Sequence, residues 1–114
     1  MKDDRIYLSH IRDSIDLIFS YTAEGENVFR EDKKTQDAVI RNFEIIGEAT
    51  KKISSELKSD YPDIPWKNMA GMRDKLIHDY FGVNLDIVWD TITNFLPTLQ
   101  TQINKILKET ESPT

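Results

Sequence analysis

The feature that most limits how this chain can fold is an apolar stripe between residues 35 and 58. Val39, Phe43, Ile46, Thr50, Ile53 and Leu57 follow one another at alternating steps of four and three. That spacing returns one side chain per turn to the same face of an α-helix and makes the seam of a helical bundle. It predicts one helix from about Thr35 to Lys58. Gly47 interrupts the good helix formers and costs about 1 kcal/mol against alanine. The expected compensation is close approach by another helix.

The same periodicity places the other elements. Leu8, Ile11, Ile15 and Ile18 predict a helix from about Asp3 to Thr22. The stretch EGENVFREDKKT (24–35) breaks the pattern and reads as a long loop with room for a turn of its own. YPDIPW (61–66) is a break, because two prolines three apart do not fit inside a helix. Pro65 is placed to open a third helix reaching Tyr80 or Phe81, with Gly82 as its stop. Asn84 reads as the N-cap of a fourth helix, with Asp86 favourable at the positive end of its dipole. Leu85, Val88, Trp89, Ile92 and Phe95 carry its apolar face, which resumes at Leu99, Ile103, Ile106 and Leu107 beyond a kink or division at Pro97. The expected fold is all-α: an irregular up-and-down bundle of four to five helices, one domain over residues 1–110 with a disordered tail at 111–114.

Composition narrows the function classes. The 114 residues have no cysteine, which excludes disulfides, thiolate zinc sites and a cysteine nucleophile. No apolar run approaches the roughly 20 residues of a membrane span, and the start MKDDRIYLSHIRDS lacks a signal peptide's apolar region. A cytoplasmic location without membrane partners is the expectation. Fifteen basic and 20 acidic residues give a net charge of −5, which argues against broad coating of DNA but leaves room for a local basic site. Neither His10 nor His78 has a glutamate three residues before it, so the paired Glu-x-x-His ligands of a di-iron bundle are missing. Glu44 and Glu48, one turn apart, read as a solvated face. We expect no metal and no cofactor.

The polar groups concentrate in GMRDKLIHDYFG (71–82). On a continuous helix Asp74 would lie about 40° from His78, close enough to fix one imidazole tautomer. Arg73 would lie about 140° from His78 and so off its face, whereas Arg73 and Tyr80 would align within about 20°. Spacing alone leaves two readings open. One is an ordinary charged helix with a weak Asp74–His78 pair and a core tyrosine; the other is a site. His10, beside the first apolar stripe in LSHIRD, reads as a boundary residue.

Arg73-x4-His78 resembles the R-x4–6-H signature of HEPN domains, and Arg73-x4-His78-Asp79-Tyr80 resembles the R-x4-H-x-Y motif of HepT toxins. FEIIGEATKKIS (43–54) followed by PDIPWKNMAGMRDKLIHDYFGVNLDIVWDTI (62–92) is similar to the HepT pattern in order and spacing. The resemblance implies a HEPN-like bundle that forms a two-fold homodimer with both motifs lining one cleft. It implies a metal-independent endoribonuclease toxin with RNA as substrate. Arg73 and His78 would be its catalytic residues, with Asp74 supporting them. It also implies an MNT-type nucleotidyltransferase antitoxin as partner, which neutralises the toxin by AMP transfer to Tyr80.

Those implications agree with the chemistry. RNA cleavage without a metal needs a base at the ribose 2′-OH, an acid at the leaving oxygen and positive charge at the phosphorane. One chain offers one suitable histidine, so two histidines require two chains. Lys67 and Lys75, with Lys51, Lys52 and Lys58, are candidates for an RNA-binding rim. Glu48 is a candidate for the dimer seam. The alternative function is a non-catalytic helical module that docks and modulates a nucleotidyltransferase. Such a module has no need of an Arg/His/Tyr constellation.

Overall fold

The computed structural model describes residues 2–78 and 82–111 of the chain. The predicted apolar stripes become its core. Leu8, Ile11, Ile15 and Ile18 are fully buried on α1 (Lys2–Tyr21), facing Val39, Phe43 and Ile46 on α3 (Lys33–Lys52). A third rod is formed by α7 (Leu85–Asp90), a π-helical turn (Thr91–Phe95) and α8 (Leu96–Glu109), which buries Val88, Ile92, Leu96, Leu99 and Ile103 against them. Shorter helices α2 (Glu26–Glu31), α4 (Ser55–Asp60), α5 (Trp66–Ala70) and α6 (Met72–Leu76) close the bundle. The fold is all-α apart from one antiparallel pair, β1 (Ile77–His78) with β2 (Gly82–Val83). None of the described helices is long and apolar enough to cross a membrane.

Four boundaries differ from the sequence expectation, each for a physical reason. The loop at 24–35 contains α2, because Phe29 buries its ring and stacks at 5.4 Å on Trp89. The long helix expected to reach Lys58 ends at Lys52. Ile53 turns extended there, and Ser54 caps the new helix α4 by accepting the Leu57 N–H at 3.1 Å. The buried Asp4 carboxylate fixes this corner, accepting from the Ser54 N–H at 2.8 Å and its hydroxyl at 2.6 Å. Ile53 and Leu57 remain in phase with the stripe and stay buried, so periodicity could not reveal the break.

The expected third helix is divided at Gly71 into α5 and α6, and it stops at Leu76 rather than at Tyr80 or Phe81. The chain then runs extended, pairing Ile77 with Val83 and His78 with Gly82. Gly82 has φ of 90°, a left-handed value that favours glycine, and this lets the chain return to the pair. Asn84 is the N-cap of α7 as expected, accepting the Ile87 N–H at 3.2 Å. At Pro97 the rod is not divided. The backbone stays right-handed helical through the π turn, and the Leu96 N–H reaches the Thr91 carbonyl five residues back. Pro97 sits in the first turn of α8, where a missing N–H is tolerated.

Candidate functional site

The site begins with how α6 is held. Five residues form too short a helix to be stable alone, so its placement depends on neighbours. Met72 and Leu76, one turn apart, are both buried and pin it into the core. The residues between them, Arg73, Asp74 and Lys75, are therefore turned outward and exposed. Gly47 fixes how near this segment comes to α3. A Cβ at Gly47 would lie 3.3 Å from the Ala70 carbonyl oxygen and 3.4 Å from that of Met69. The close approach expected from the sequence is thus made by the end of α5, one residue before α6.

Arg73 is anchored across that contact. Its Nε–H donates to Glu44 Oε2 at 2.7 Å, a short charge-assisted bond. The Glu44 side chain is 26% exposed against 57% for Arg73, so the anchor is the more enclosed partner. Asp74 stands beside them with Oδ1 3.9 Å from Arg73 Nη1, an ion pair beyond hydrogen-bond range. Among the described residues the guanidinium makes no other hydrogen bond, and the Arg73 side chain is exposed. That arrangement can receive a phosphate through two parallel donors.

The π turn lies against the same segment. Thr91 and Phe95 share a small cavity with Asn68, Met72, Lys75 and Leu76. Lys75 is exposed on α6 two residues after Arg73, and Lys67 is exposed on α5, eight residues before Lys75. Because α6 ends at Leu76, the helical-wheel angles between Arg73, Asp74, His78 and Tyr80 do not apply. His78 belongs to β1 and its imidazole lies outside what is described, as does the whole of Tyr80. Asp74 is next to Arg73, one of its two expected partners.

Glu44 is the residue that sequence reasoning missed, having been read as part of a solvated face. The signal was available. Glu44 lies three residues before Gly47, on the stretch of α3 where close approach was expected. His10 is exposed and packs edge-on against the Tyr7 ring at 6.0 Å, in a groove between α1 and α3 lined also by Arg41, Ile45, Glu48 and Lys52. Glu48 is 3.6 Å from Lys51 and remains largely exposed. Among the described residues no three histidine, aspartate or glutamate side chains are grouped to hold a metal ion.

Comparison with known proteins adds a family. The model of the family described as "HepT-like: Ribonuclease HepT-like" matches residues 11–106. "Putative RNase MJ0127" of Methanocaldococcus jannaschii is 44% identical over 96% of this chain and 92% of its own length. "Probable ribonuclease HepT" of Thermococcus cleftensis is 48% identical, covering 90% of this chain and 94% of its own. "Putative RNase TTE0752" of Caldanaerobacter subterraneus is 43% identical over 96% and 98%. No solved structure matches significantly.

Proposed function

The chain belongs to the HepT-like ribonuclease family, and we propose that it cleaves RNA phosphodiester bonds without a metal, as the toxin of a toxin–antitoxin pair. The observation that carries this reading is Arg73: exposed, held by Glu44 through Nε, and presenting its terminal nitrogens five residues before His78. In the reaction, a histidine removes the proton of the ribose 2′-OH and the oxygen attacks the adjacent phosphorus. A second proton donor protonates the departing 5′-oxygen, leaving a 2′,3′-cyclic phosphate. Arg73 stabilises the charge that accumulates on the non-bridging oxygens. Asp74 supports Arg73, and Lys75 and Lys67 steer the RNA backbone.

A homodimer supplies the second histidine. The outer side of α3 supports this arrangement, since Arg41 and Glu48 lie two turns apart with Ile45 between them. A second copy laid antiparallel on that strip would set each Arg41 against the partner copy's glutamate and bring the two Arg73 segments to one cleft. Neutralisation by AMP transfer to Tyr80 from a nucleotidyltransferase antitoxin belongs to the same reading, because a phosphate added there would compete for Arg73.

The test is cleavage of an RNA oligonucleotide by the wild type and by Arg73→Ala and His78→Ala variants purified identically. Both variants should fold and lose at least about a hundredfold in rate, and wild-type product should carry 2′,3′-cyclic phosphate ends. Variants that cut at the wild-type rate would sink the reading and leave a docking module as the function.

A further inference from the structure

We propose that Glu44 is a positioning residue for RNA cleavage: it holds the Arg73 guanidinium by the Nε edge so that the Nη edge stays aimed at the phosphate. The inference rests on the ribonuclease reading above.

Three observations carry it. The Nε–Oε2 distance of 2.7 Å is that of a charge-assisted hydrogen bond, and it uses the one guanidinium nitrogen that a bidentate phosphate at the Nη edge does not need. The two partners differ in rigidity. Glu44 projects from a 20-residue helix whose neighbours Phe43 and Ile46 are fully buried, whereas Arg73 rides on a five-residue helix. Among the described residues the other carboxylate paired with Arg73, Asp74, stands 3.9 Å from Nη1 and is 87% exposed, so it does not hold the group in one orientation. A long exposed arginine has many rotamers, and a misplacement of about 1 Å at a reacting centre can cost on the order of a hundredfold in rate. An exposed ion pair contributes little to folding. The consequence of losing Glu44 should therefore fall on rate rather than on stability.

Two substitutions separate orientation from charge. Glu44→Gln keeps an oxygen that can accept the Nε–H, while Glu44→Ala removes both the acceptor and the charge. We expect Glu44→Ala to lower kcat by about ten- to a hundredfold with KM within about threefold. Glu44→Gln should stay within about threefold of wild type, and both should melt within a few degrees of it. A spectroscopic readout judges the anchor independently of activity. The Arg73 Nε–H signal, assigned by its loss in Arg73→Lys, should exchange slowly with water in the wild type and at least about tenfold faster in Glu44→Ala.

Wild-type kcat in Glu44→Ala, equal losses in both Glu44 variants, or an Nε–H exchange rate unchanged by Glu44→Ala would each overturn the proposal. Tighter RNA binding by both variants, without loss of rate, would overturn it too and make Glu44 a competitor of the phosphate. The parent reading fails separately: an Arg73→Ala variant that cuts RNA normally refutes the ribonuclease assignment. An inactive Arg73→Ala beside a fully active Glu44→Ala refutes the positioning role alone.

Discussion

Gly47→Ala opposes two effects of similar size, and the structure decides which one wins. Alanine in a helix interior is favoured over glycine by about 1 kcal/mol. The new Cβ, however, would stand 3.3 Å and 3.4 Å from two backbone carbonyl oxygens at the end of α5. Backbone atoms cannot swing aside as the end of a flexible side chain can, so α5 must retreat by a few tenths of an ångström. Overpacking of that kind costs about 1–3 kcal/mol. The net expectation is a loss of about 1 kcal/mol. For 114 residues the unfolding entropy near the midpoint is about 0.24 kcal/mol/K, so Tm should fall by about 4 °C. Gly71→Ala is the control. Its Cβ would meet the Lys67 carbonyl oxygen at an ordinary 3.6 Å and its φ is −91°, so the reduced freedom of the unfolded chain should leave it neutral or more stable by up to about 1 kcal/mol. Differential scanning calorimetry of the two variants beside the wild type reads both shifts. A Gly47→Ala protein that melts higher than the wild type would refute the close-approach argument.

Other perturbations test other contacts. Asp4→Ala removes a buried acceptor from the Ser54 N–H and hydroxyl, which should cost about 2–3 kcal/mol in urea unfolding; an unchanged midpoint would show that the corner does not depend on it. Single Arg41→Glu or Glu48→Arg should weaken self-association about tenfold or more in analytical ultracentrifugation, with recovery in the double swap. Equal association in all four proteins would move the two-fold axis off α3. Asp32 caps α3, and its carboxyl is held below 3.8 chiefly by the Thr35 hydroxyl, with further help from backbone N–H groups. A depressed carboxyl pKa means stability that is present above about pH 4 and is lost as pH falls through the folded value. Asp32→Asn should therefore flatten the acid limb of the Tm–pH curve, and an identical limb would remove Asp32 from the account.

The long elements were legible because burial writes itself into spacing. Every predicted stripe residue of α1 is buried, and so are Val39, Phe43, Ile46, Thr50, Ile53 and Leu57. What spacing could not show was where the backbone changes direction while the apolar phase continues. Ser54 caps a new helix inside an unbroken stripe, and a buried aspartate 50 residues away in sequence makes that corner favourable. The end of α6 was hidden for a different reason. The mixed run Arg73 to His78, polar residues followed by Leu76 and Ile77, suits an amphipathic helix, and the decision to leave the helix depends on pairing with Gly82–Val83 beyond it. The family was legible from the motif and its flanks, and the position of Glu44 beside Gly47 was a signal, but its pairing with Arg73 is fixed by the packing of α3 against α6.

That packing explains how an arginine can be held in place on so short a helix. Depth is set by Met72 and Leu76, both anchored in the core. Distance from α3 is set by Gly47, where the absence of a side chain brings two carbonyls of α5 against the helix. Direction is set by Glu44, which takes the Nε–H of Arg73. Two of the three constraints come from α3, outside the five residues of α6. A longer helix would have supplied its own rigidity but would have carried the chain past Leu76 along one axis. Ending there lets His78 leave the helix on an extended pair. The arginine and the histidine thereby stand on different elements, and the angle between them is freed from the helical repeat that would otherwise keep them on different faces.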